Sequence, residues 1–490
     1  MNKYDVGVIT DGEAGRNLAF DLSASGYSTV LYNTGLDNMA RDEMNRYIAG
    51  IQEMGILAST SSEMTVNLLK SPKILFVVSR NGVFAEEILR ELYELAGEGD
   101  ILIDTCDTNY KVTAARCRQF EKKQIAYIGA GFCGGETGAP AGVSIMMGGS
   151  LDAYTSIYDM LCCVSSKYDG FPCCAYMGPD GAGQYVKMIH NGITYGVMQA
   201  LSEAISVLKH VGGCDETQLR EIIGEWGTGD NESFFIQAAY DILNKRDAET
   251  GKPLTELVSD RVGYGKSVVW LCTSAAELSV PIPSIYAALN QRFLAALKKE
   301  RTAFFDLVAG EAEKEIHIIN DEKKAFIEDV RNGLYLCTLC IYTQAFALLQ
   351  RASDLYIWGT DPLDAAITFQ GGSFIRARIL SRAIDAFRNR QDVKSLLEDP
   401  YFAGTVKRYS VSLRRIAGLA AEGAVPVPVF AASLSYLDTY AAKLLDTGIV
   451  ELLRDYIQDS GFEKKDEEKK RYHADWKDVR DEINCREITK

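Results

Sequence analysis

Five short runs of β-branched and other apolar residues recur through the first third of this 490-residue chain, with helix-like segments between them. The runs are YDVGVIT, STVLYN, KILFVV, DILIDT and IAYIG. They do not alternate apolar with polar residues, and this continuous apolar pattern is typical of strands that are buried on both faces. Such strands, when they alternate with helices, form a parallel, doubly wound sheet. We therefore predict a Rossmann-type α/β domain in residues 1–178.

The remainder of the chain reads as amphipathic helices and contains an internal repeat. IHNGITYGVMQALSEAISVLKHV, from Ile189, is echoed by VRNGLYLCTLCIYTQAFALLQRA, from Val330. AAELSVPIPSIYAAL, from Ala275, is echoed by AAEGAVPVPVFAASL, from Ala420. Because the two echoes come in the same order, we predict a large all-α domain of two similar halves in residues 179–440.

The last part of the chain, residues 441–490, differs from the rest in its charge. Its sequence from Gly461 is GFEKKDEEKKRYHADWKDVRDEINCREITK, in which charged residues of both signs predominate. A segment of this composition is typically solvated, so we predict a solvated C-terminal tail.

Composition excludes several classes of protein. The formal net charge of -15 disfavours a nucleic-acid or anionic-membrane partner, since either requires a basic surface. No run of about 18 apolar residues is present, and the first residues lead directly into a strand rather than a signal peptide. The 12 cysteines are scattered among apolar residues, and the four histidines lack ligand spacing. We therefore expect a cytoplasmic protein with free thiols, no structural metal and no membrane or nucleic-acid partner.

A cluster of polar residues on one helical face is the strongest candidate for a site. In GPDGAGQYVKMIHNGITYGVMQ the spacing 0, 3, 4, 7 and 8 places five polar side chains on one side of a helix. They are Lys187, His190, Asn191, Thr194 and Tyr195. The first two have no counterparts in the second repeat, so packing alone does not explain them. Buried cations require an anion, which favours a ligand site over a buried network of polar side chains.

Two further segments are typical of ligand-binding loops. TDGEAGRN follows the first strand and precedes an apolar helix, where a glycine turn brings backbone close to a pyrophosphate. Gly12 and Gly15 fit the G-x-G-x-x-G pattern, whereas Thr10 occupies the position of its first glycine. The glycine-rich stretch GAGFCGGETGAPAG, Gly129 to Gly142, follows the IAYIG strand and predicts a loop with backbone amides that face a ligand.

Three motifs together resemble the 6-phosphogluconate dehydrogenase family, the decarboxylating enzymes of the pentose phosphate pathway. They are GFCGGETGAPAG, GAGQYVKMIHNGITYGVMQ and FLAALKKER, and the similarity extends from the first strand to LLRDY at Leu452. The resemblance implies a dinucleotide domain, a duplicated helical domain, and a tail that reaches into the partner of a homodimer. It also implies oxidation and decarboxylation of 6-phosphogluconate, a sugar phosphate, to ribulose 5-phosphate and CO2 with NADP, as in gluconate utilization.

The resemblance assigns roles on the substrate side. The lysine matching Lys187 is the base that takes the proton of the C3 hydroxyl. The residues matching His190 and Asn191 hold the sugar acid, and the one matching Tyr195 holds its phosphate. Arginines matching Arg292 and Arg454 also bind that phosphate, the second from the partner chain. Further substrate positions by resemblance are Asp107, Cys133, Gly134, Gly135, Gly265, Lys266 and Ser267.

The resemblance likewise assigns the cofactor site to the ends of the strands. Its positions are Thr10, Asp11, Gly12, Glu13, Ala14, Gly15, Asn33, Thr34, Gly35, Arg80, Asn81, Gly82 and Asp107. After the second strand an acid would bind the ribose of NAD, and an arginine would bind the 2′-phosphate of NADP. Because this chain has Asn33-Thr34-Gly35 there, the resemblance implies NADP while the residues leave NAD open.

The chain departs from the family pattern at several of these positions. The family's general acid, a glutamate, is replaced by Thr194, and losing a general acid typically costs about two to four powers of ten in rate. Asp107 replaces an asparagine, Cys133 a serine and Thr34 an arginine, while Gly265 falls where the family has a lysine, beside Lys266 and Ser267.

Three functions remain open. They are the family's own reaction, the same chemistry on another phosphorylated sugar acid, and a non-catalytic homologue that binds a sugar phosphate or a partner. We expect the first.

Overall fold

The computed structural model describes residues 3–36, 41–134, 142–308, 318, 320–390, 393–477 and 485–488. By its contacts the chain forms two compact units, Met1–Leu434 and Ser435–Lys490. The first unit contains the predicted α/β and all-α parts, which pack against each other. The second unit contains the C-terminal segment.

An eight-stranded sheet forms the core of the N-terminal part, in the order β10-β7-β6-β5-β4-β1-β2-β3. The strands from β3 to β6 are parallel, and β7 then runs antiparallel to β6. Their order, 3-2-1-4-5-6, is that of a Rossmann fold. The strands of this sheet are β1 (Val6–Thr10), β2 (Thr29–Asn33), β3 (Ile56–Ser59), β4 (Ile74–Val78), β5 (Ile101–Asp104), β6 (Ala126–Cys133), β7 (Ser144–Gly149) and β10 (Cys174–Gly178). Two short strands, β8 (Lys167–Tyr168) and β9 (Phe171–Pro172), pair with each other in a separate sheet.

The predicted α/β fold class is confirmed, and all five predicted strands are present as β1, β2, β4, β5 and β6. Apolar layers cover both faces of the sheet, as the continuous apolar runs indicated. Within the eight-stranded sheet β3, β7 and β10 were missed, as were the two-residue strands β8 and β9 outside it. β3 has only four residues, and the glycine- and methionine-rich sequence of β7, SIMMGG, lacks the β-branched signal.

Helices make up most of the remaining described chain. They are α1 (Glu13–Ala24), α2 (Arg41–Glu53), α3 (Ser62–Leu68), α4 (Gly82–Leu95), α5 (Tyr110–Glu121), α6 (Leu151–Val164), α7 (Ala182–His210), α8 (Glu216–Trp226), α9 (Phe234–Leu243), α10 (Leu254–Leu257), α11 (Lys266–Glu277), α12 (Pro283–Ala296), α13 (Lys298–Val308), α14 (Asn320–Tyr356), α15 (Pro362–Thr368), α16 (Arg378–Asn389), α17 (Pro400–Glu422), α18 (Pro428–Ala441) and α19 (Gly448–Gln458). The long helix α7 packs against β6 and β7 on one side and against α11, α12 and α14 on the other, so it joins the sheet to the helical part.

Glycines in β6 explain how closely α7 approaches the sheet. A Cβ at Gly131 would lie 2.5 Å from the Cβ of Lys187, so only glycine allows this contact. The stretch that we interpreted as a loop after the IAYIG strand is therefore partly strand, because β6 continues to Cys133. The packing of α7 brings Lys187 to the carboxyl end of β6, which is the edge where doubly wound sheets bind ligands.

The internal duplication is present in the structure. Ser279 and Ala424, which are equivalent in the two repeats, both adopt the left-handed conformation, with φ values of 55° and 53°. The preceding helix ends with the same hydrogen bond in each half. The N–H of Val280 donates to the carbonyl of Ala275 at 2.9 Å, and that of Val425 to Ala420 at 2.8 Å. The two halves therefore share local backbone geometry as well as sequence.

One helical segment in the described chain, Glu322–Tyr356, is long and apolar enough to cross a membrane by length and composition. Our sequence reading found no such candidate, because charged residues at the start of α14 hide the apolar run. In the structure 83% of its apolar window is buried. The segment packs against α7, α12 and α17 as a central helix of the protein.

The second unit, which includes the predicted C-terminal tail, contains regular secondary structure. It contains α19 and a three-stranded antiparallel sheet of β11 (Phe462–Lys464), β12 (Glu467–Ala474) and β13 (Cys485–Ile488). The fully buried carboxylate of Asp455 accepts hydrogen bonds from the backbone of Gly461 and Ala474 and from the side chains of His473 and Trp476, at 2.6 to 3.2 Å. The three strands of this unit consist mainly of charged residues, so the sequence pattern did not predict them.

Candidate functional site

Three titratable side chains meet where α7 crosses the end of β6. The ammonium of Lys187 donates to the Sγ of Cys133 at 3.1 Å, and the same sulfur lies 3.1 Å from Nε2 of His190. Cys133 and His190 are almost fully buried, with exposed fractions of 2% and 1%. We call these three residues the Lys–Cys–His cluster. Lys187 and His190 were predicted from the helical spacing, and the structure brings them onto Cys133.

The Lys–Cys–His cluster changes the acidity of its thiol. Burial alone would raise the pKa of Cys133, but the charges and hydrogen bonds of His190 and Lys187 outweigh burial and lower that pKa to about 6. By contrast, burial raises the pKa of other cysteines, including Cys106, Cys117 and Cys340. Cys133 therefore carries a group that exchanges protons near neutral pH.

Hydrogen bonds hold the ring of His190 through both nitrogens. Asn191 uses its amide nitrogen to donate to Ser267 at 3.1 Å, so its Oδ1 is free to accept from Nδ1–H of His190 at 3.2 Å. Nε2 lies 2.8 Å from the hydroxyl of Ser373 and 3.1 Å from the Sγ of Cys133. Ser373 was missed from sequence, where the preceding Gly371-Gly372 pair was the available signal.

Thr194 lies on the same face of α7 but is not part of the Lys–Cys–His cluster. Its hydroxyl donates to the backbone carbonyl of His190 one turn earlier, at 3.0 Å. This is the usual back-bonding of a threonine inside a helix. The hydroxyl is thus engaged by its own helix at the position where the family pattern has an acid.

A second group of residues forms a site for an anion at the far end of the same face. The guanidinium carbon of Arg292 lies 3.5 Å from the centroid of the Tyr195 ring, and its Nη1 donates to the carbonyl of Gly263 at 2.8 Å. The Tyr195 hydroxyl accepts from the N–H of Gly265, directly before α11, at 2.6 Å. We call Tyr195, Gly265 and Arg292 the Arg–Tyr corner.

The charge of Arg292 makes the Arg–Tyr corner suited to an anion. Burial lowers the pKa of Arg292 although Tyr195 partly opposes this, and only 8% of the residue is exposed. Among the residues that the structure describes, no carboxylate pairs with it. The N-terminus of α11 also has no side-chain cap, so its backbone N–H groups are available to an anion. Lys266, the first residue of α11, is exposed.

Arg454 belongs to the second unit. It lies on α19, where its Nη1 donates to Glu451 at 2.6 Å, and more than half of its side chain is exposed. The geometry that tests its predicted place beside the phosphate is that of a dimer, so this assignment stays a prediction. Gly134 lies at the end of β6 against the backbone of Gly372. Gly135, also predicted for the substrate, falls outside the described residues.

The predicted cofactor turn lies between β1 and α1. The buried hydroxyl of Thr10 donates to the carbonyl of Val78 on β4 at 2.8 Å and accepts from the N–H of Gly12 at 3.1 Å. A Cβ at Gly15 would lie 2.3 Å from this hydroxyl oxygen, so Thr10 fills the space that Gly15 leaves. Thr10 therefore stabilises the turn in place of a glycine.

The helix start beside this turn fits a pyrophosphate. Gly12, the N-cap of α1, provides no capping side chain, and a Cβ there would meet nothing within 4 Å. The first N–H groups of α1 therefore face open space, as a dinucleotide requires. Asp11, Glu13 and Ala14 lie in the same turn, and Glu13 is an exposed acid within it.

A basic residue of α1 contacts the same tyrosine as the end of β2. The carbonyl of the Asn33 side chain accepts from the N–H of Gly35, and its amide lies 3.3 Å from the Tyr47 hydroxyl. Arg16 of α1 stacks on the same Tyr47, with 5.8 Å between Cζ and the ring centroid. Arg16 and Asn33 thus contact one ring, and Thr34 follows Asn33 in the chain.

The remaining predicted cofactor residues lie at neighbouring strand ends. Asn81 caps α4, since its Oδ1 accepts from the N–H of Val83 at 3.1 Å, and Gly82 begins that helix. Arg80 precedes them and is exposed. Asp107 follows β5 and is exposed, so it stands at the same edge of the sheet. These positions agree with a shared cleft at the carboxyl ends of the strands, and their roles stay predictions.

The doubly wound sheet, its uncapped helix start and the buried Lys–Cys–His cluster at the same edge define a protein of the dinucleotide-dependent dehydrogenase class. Two family models match almost the whole chain. The NAD binding domain of 6-phosphogluconate dehydrogenase matches residues 5–178, and the C-terminal domain of 6-phosphogluconate dehydrogenase matches residues 183–476. The chain belongs to the 6-phosphogluconate dehydrogenase family.

Similar proteins extend this finding over the full length. The NADP(+)-dependent, decarboxylating 6-phosphogluconate dehydrogenase of Bacillus subtilis (strain 168) is 35% identical over 476 residues, covering 97% of this chain and 100% of that one. A decarboxylating 6-phosphogluconate dehydrogenase of Staphylococcus epidermidis is 34% identical over 472 residues, covering 96% and 98%. A solved structure of Plasmodium falciparum 6-phosphogluconate dehydrogenase superposes with a TM-score of 0.90 at 30% identity, covering 96% and 100%.

Proposed function

We propose that this protein oxidises and decarboxylates 6-phosphogluconate to ribulose 5-phosphate and CO2 with NADP. One observation carries the proposal. A single face of α7 bears the Lys–Cys–His cluster at one end and the Arg–Tyr corner at the other, so a base and an anion site stand on the same rigid helix. A sugar acid with a terminal phosphate has its reacting carbons and its phosphate separated in the same way.

The dinucleotide supplies an acceptor for hydride when it is bound. The residues at the ends of β1 and β2 fit it, because the uncapped N-terminus of α1 offers backbone donors and Gly15 leaves room that Thr10 fills. Asn33, with its side chain held by Gly35 and Tyr47, fixes the loop beside the adenosine end. The cleft thus opens toward Lys187 at the end of β6.

Lys187 is the proposed base. Its ammonium donates to the Sγ of Cys133 at 3.1 Å, so the two groups are within direct proton-transfer distance. The neutral amine takes the proton of the C3 hydroxyl as hydride leaves that carbon. Protonated again, it donates to the C3 carbonyl oxygen and so draws electrons from the bond to CO2. Replacing Lys187 removes both tasks.

The other residues of the face position the substrate. His190 is held between Ser373 and Asn191, which fixes its ring against a bound hydroxyl or carboxylate. Asn191 is fixed in turn by Ser267. The Arg–Tyr corner binds the phosphate through the guanidinium and the start of α11, and charge-assisted contacts of this kind are among the strongest hydrogen bonds.

We further propose a homodimer in which α19 of one subunit supplies Arg454 to the phosphate of the other. The support is the exposed apolar surface of this helix. Ile449, Val450, Leu453, Tyr456 and Ile457 are each more than half exposed, which is unusual for a helix that stays in water. A second copy of the chain would cover these side chains while Arg454 reaches the neighbouring site. A cytoplasmic location agrees with the 12 free thiols and is part of the same proposal.

Reduction of NADP and NAD by the purified protein tests the reaction. We expect reduced nicotinamide to form with 6-phosphogluconate, and Lys187→Met to abolish it while calorimetry still detects the sugar acid. If another phosphorylated sugar acid gives faster reduction, the substrate assignment is wrong but the chemistry stands. If 6-phosphogluconate binds and no sugar acid is oxidised, the protein is a non-catalytic homologue.

A further inference from the structure

We propose that Cys133 is the proton donor of the decarboxylation step and that Lys187 returns the proton to it directly. The inference rests on the proposed function and adds a catalytic residue to it. It concerns the last chemical event, in which the product acquires the hydrogen that takes the place of CO2.

The reaction requires such a donor. Loss of CO2 leaves an enediol, and a C–H bond must then form at the carbon that carried the carboxylate. Thr194 is unsuited to this step, because an aliphatic hydroxyl is a weak acid and its proton is already donated to the His190 carbonyl at 3.0 Å. The acid must come from elsewhere on the same face.

The position of Cys133 places a proton beside the reacting carbons. Its Sγ lies 3.1 Å from the Nζ of Lys187, and in the proposed function Lys187 contacts the oxygen on C3. The carbon that loses CO2 is bonded directly to C3, so a donor beside Nζ is within reach of it. Burial to an exposed fraction of 2% keeps bulk water from competing for the proton.

The surroundings of Cys133 leave it as the available acid of the cluster. In the described part of the chain its titratable contacts are Lys187 and His190, both from α7. His190 is also held by Asn191 at Nδ1 and by Ser373, from the loop after α15, at Nε2. A thiol pKa of about 6 lies in the range in which a group both gives and regains a proton near neutral pH.

The proton balance closes within the pair. Neutral Lys187 takes the C3 hydroxyl proton as hydride leaves, and gives it to the carbonyl oxygen as the bond to CO2 breaks. It then takes the enediol proton back from that oxygen while the new C–H bond forms and the S–H bond of Cys133 breaks. The turnover ends with an ammonium and a thiolate at 3.1 Å, and one proton transfer between them restores the starting state.

Isotope exchange isolates this step from the oxidation. We would incubate ribulose 5-phosphate and reduced cofactor with the protein in D2O and follow deuterium at C1 by NMR. We expect the parent to catalyse exchange and Cys133→Ser to lower its rate by at least about 100-fold, at the low end of what general acid–base groups contribute. Cys163→Ser, at an exposed cysteine of α6, is the matched control and should exchange like the parent.

A double variant guards against a folding defect in Cys133→Ser. Adding Thr194→Glu puts a carboxylic acid on the same face two turns from Lys187. We expect it to restore exchange at least about tenfold over Cys133→Ser. Equal exchange in the parent and Cys133→Ser, or none in the parent, would overturn the proposal.

Titration of the thiol gives a readout independent of turnover. The thiolate absorbance of the parent minus that of Cys133→Ser should show a midpoint of about 6, and Lys187→Met should move it upward. A midpoint at or above the ordinary cysteine value of about 8.5 overturns the proposal.

These experiments also distinguish a failure of the proposed function from a failure of the proposed role of Cys133. Exchange without any oxidation of 6-phosphogluconate contradicts the proposed function alone, whereas oxidation and exchange unchanged in Cys133→Ser contradict only the role of Cys133.

Discussion

We expect Thr34 and Arg16 to set the preference between NADP and NAD. Thr34 follows β2 in place of the arginine that the family pattern implies, while Arg16 stacks on Tyr47 with 5.8 Å between Cζ and the ring centroid, and Tyr47 also contacts Asn33 at the end of β2. A cation–π contact at this distance holds a guanidinium only weakly, since such contacts contribute about 0.5–1 kcal/mol at exposed sites. The 2′-phosphate of NADP therefore meets one loosely held cation rather than a fixed arginine.

The cofactor preference follows from that arrangement. We expect the parent to bind NADP less than about tenfold more tightly than NAD, and Thr34→Arg to increase the NADP preference by at least about tenfold, because a charge-assisted contact contributes roughly 1.5–3 kcal/mol. Calorimetry with both dinucleotides measures this, and Arg16→Ala is the control. A strongly NADP-selective parent that loses its selectivity in Arg16→Ala would contradict the expectation and assign the phosphate to Arg16.

At the level of helices, the two repeats cap each other reciprocally. Glu203 on α7 accepts hydrogen bonds from the first N–H groups of α18, those of Val429 and Phe430, at 3.0 to 3.1 Å. Its equivalent in the second repeat, Gln344 on α14, accepts from the N–H of Ser284 at the start of α12 at 3.1 Å. Each half thus provides a side-chain acceptor for the otherwise unpaired N–H groups at the start of a helix in the other half.

The two caps differ in charge, which gives the fold a pH dependence. Burial raises the pKa of Glu203 to about 7, although hydrogen bonds from Gln199, Val429 and Phe430 partly oppose the shift. The stability that this group contributes is present below its unfolded pKa of about 4.3 and is lost as pH rises through about 7. Gln344 has no such dependence.

Glu203→Gln should therefore stabilise the protein at alkaline pH. Unfolding by urea at pH 8 should show a free energy of unfolding higher by about 2 kcal/mol than in the parent, and the difference should vanish near pH 4.5, because glutamine copies the protonated carboxyl. Gln344→Glu is the matched control and should introduce the opposite dependence. Equal stability of Glu203→Gln and the parent at every pH would show that the carboxylate stays ionised in the fold.

The sequence predicted the elements whose cause is local and missed those whose cause is tertiary. Buried strands and the polar face of α7 follow from periodicity, and both are present. Ser373 had only the preceding glycine pair as a local signal, because its role depends on the fold of the loop after α15 against His190. The contact between Arg16 and Tyr47 likewise joins two residues that are distant in the sequence.

The C-terminal sheet shows a second limit of sequence patterns. β12, EEKKRYHA, has neither an apolar run nor a clear alternation, yet it pairs with β11 and β13. The buried carboxylate of Asp455 holds this strand in place, because it accepts hydrogen bonds from the backbone of Ala474 and from the side chain of Trp476. Charge composition predicts solvation of a segment, and most described residues of 463–470 are indeed exposed, but it does not predict whether the segment forms strands.

At the scale of the whole molecule, each site of the proposed dimer would contain residues of both chains. Lys187 lies in the first compact unit and Arg454 in the second, and the homodimer would join Lys187 of one subunit to Arg454 of its partner. Two inactive variants can therefore complement each other if they form mixed dimers.

Subunit mixing tests this arrangement. Lys187→Met and Arg454→Ala should each be inactive or severely impaired alone, whereas a mixture refolded together should recover about one quarter of the parent activity, since half of the dimers are mixed and each then holds one intact site. Mixing parent with Lys187→Met is the control for assembly. A refolded mixture that forms dimers but stays inactive would show that each site takes both residues from one chain.

The central claim is that this chain performs the complete oxidative decarboxylation despite Thr194. The most direct measurement is the release of labelled CO2 from 6-phosphogluconate carrying ¹³C in its carboxylate, followed by mass spectrometry together with the formation of reduced NADP. We predict one labelled CO2 for each NADP reduced, with both signals absent in Lys187→Met. Reduced NADP without labelled CO2, or neither signal from a protein that binds its substrate, would contradict the account.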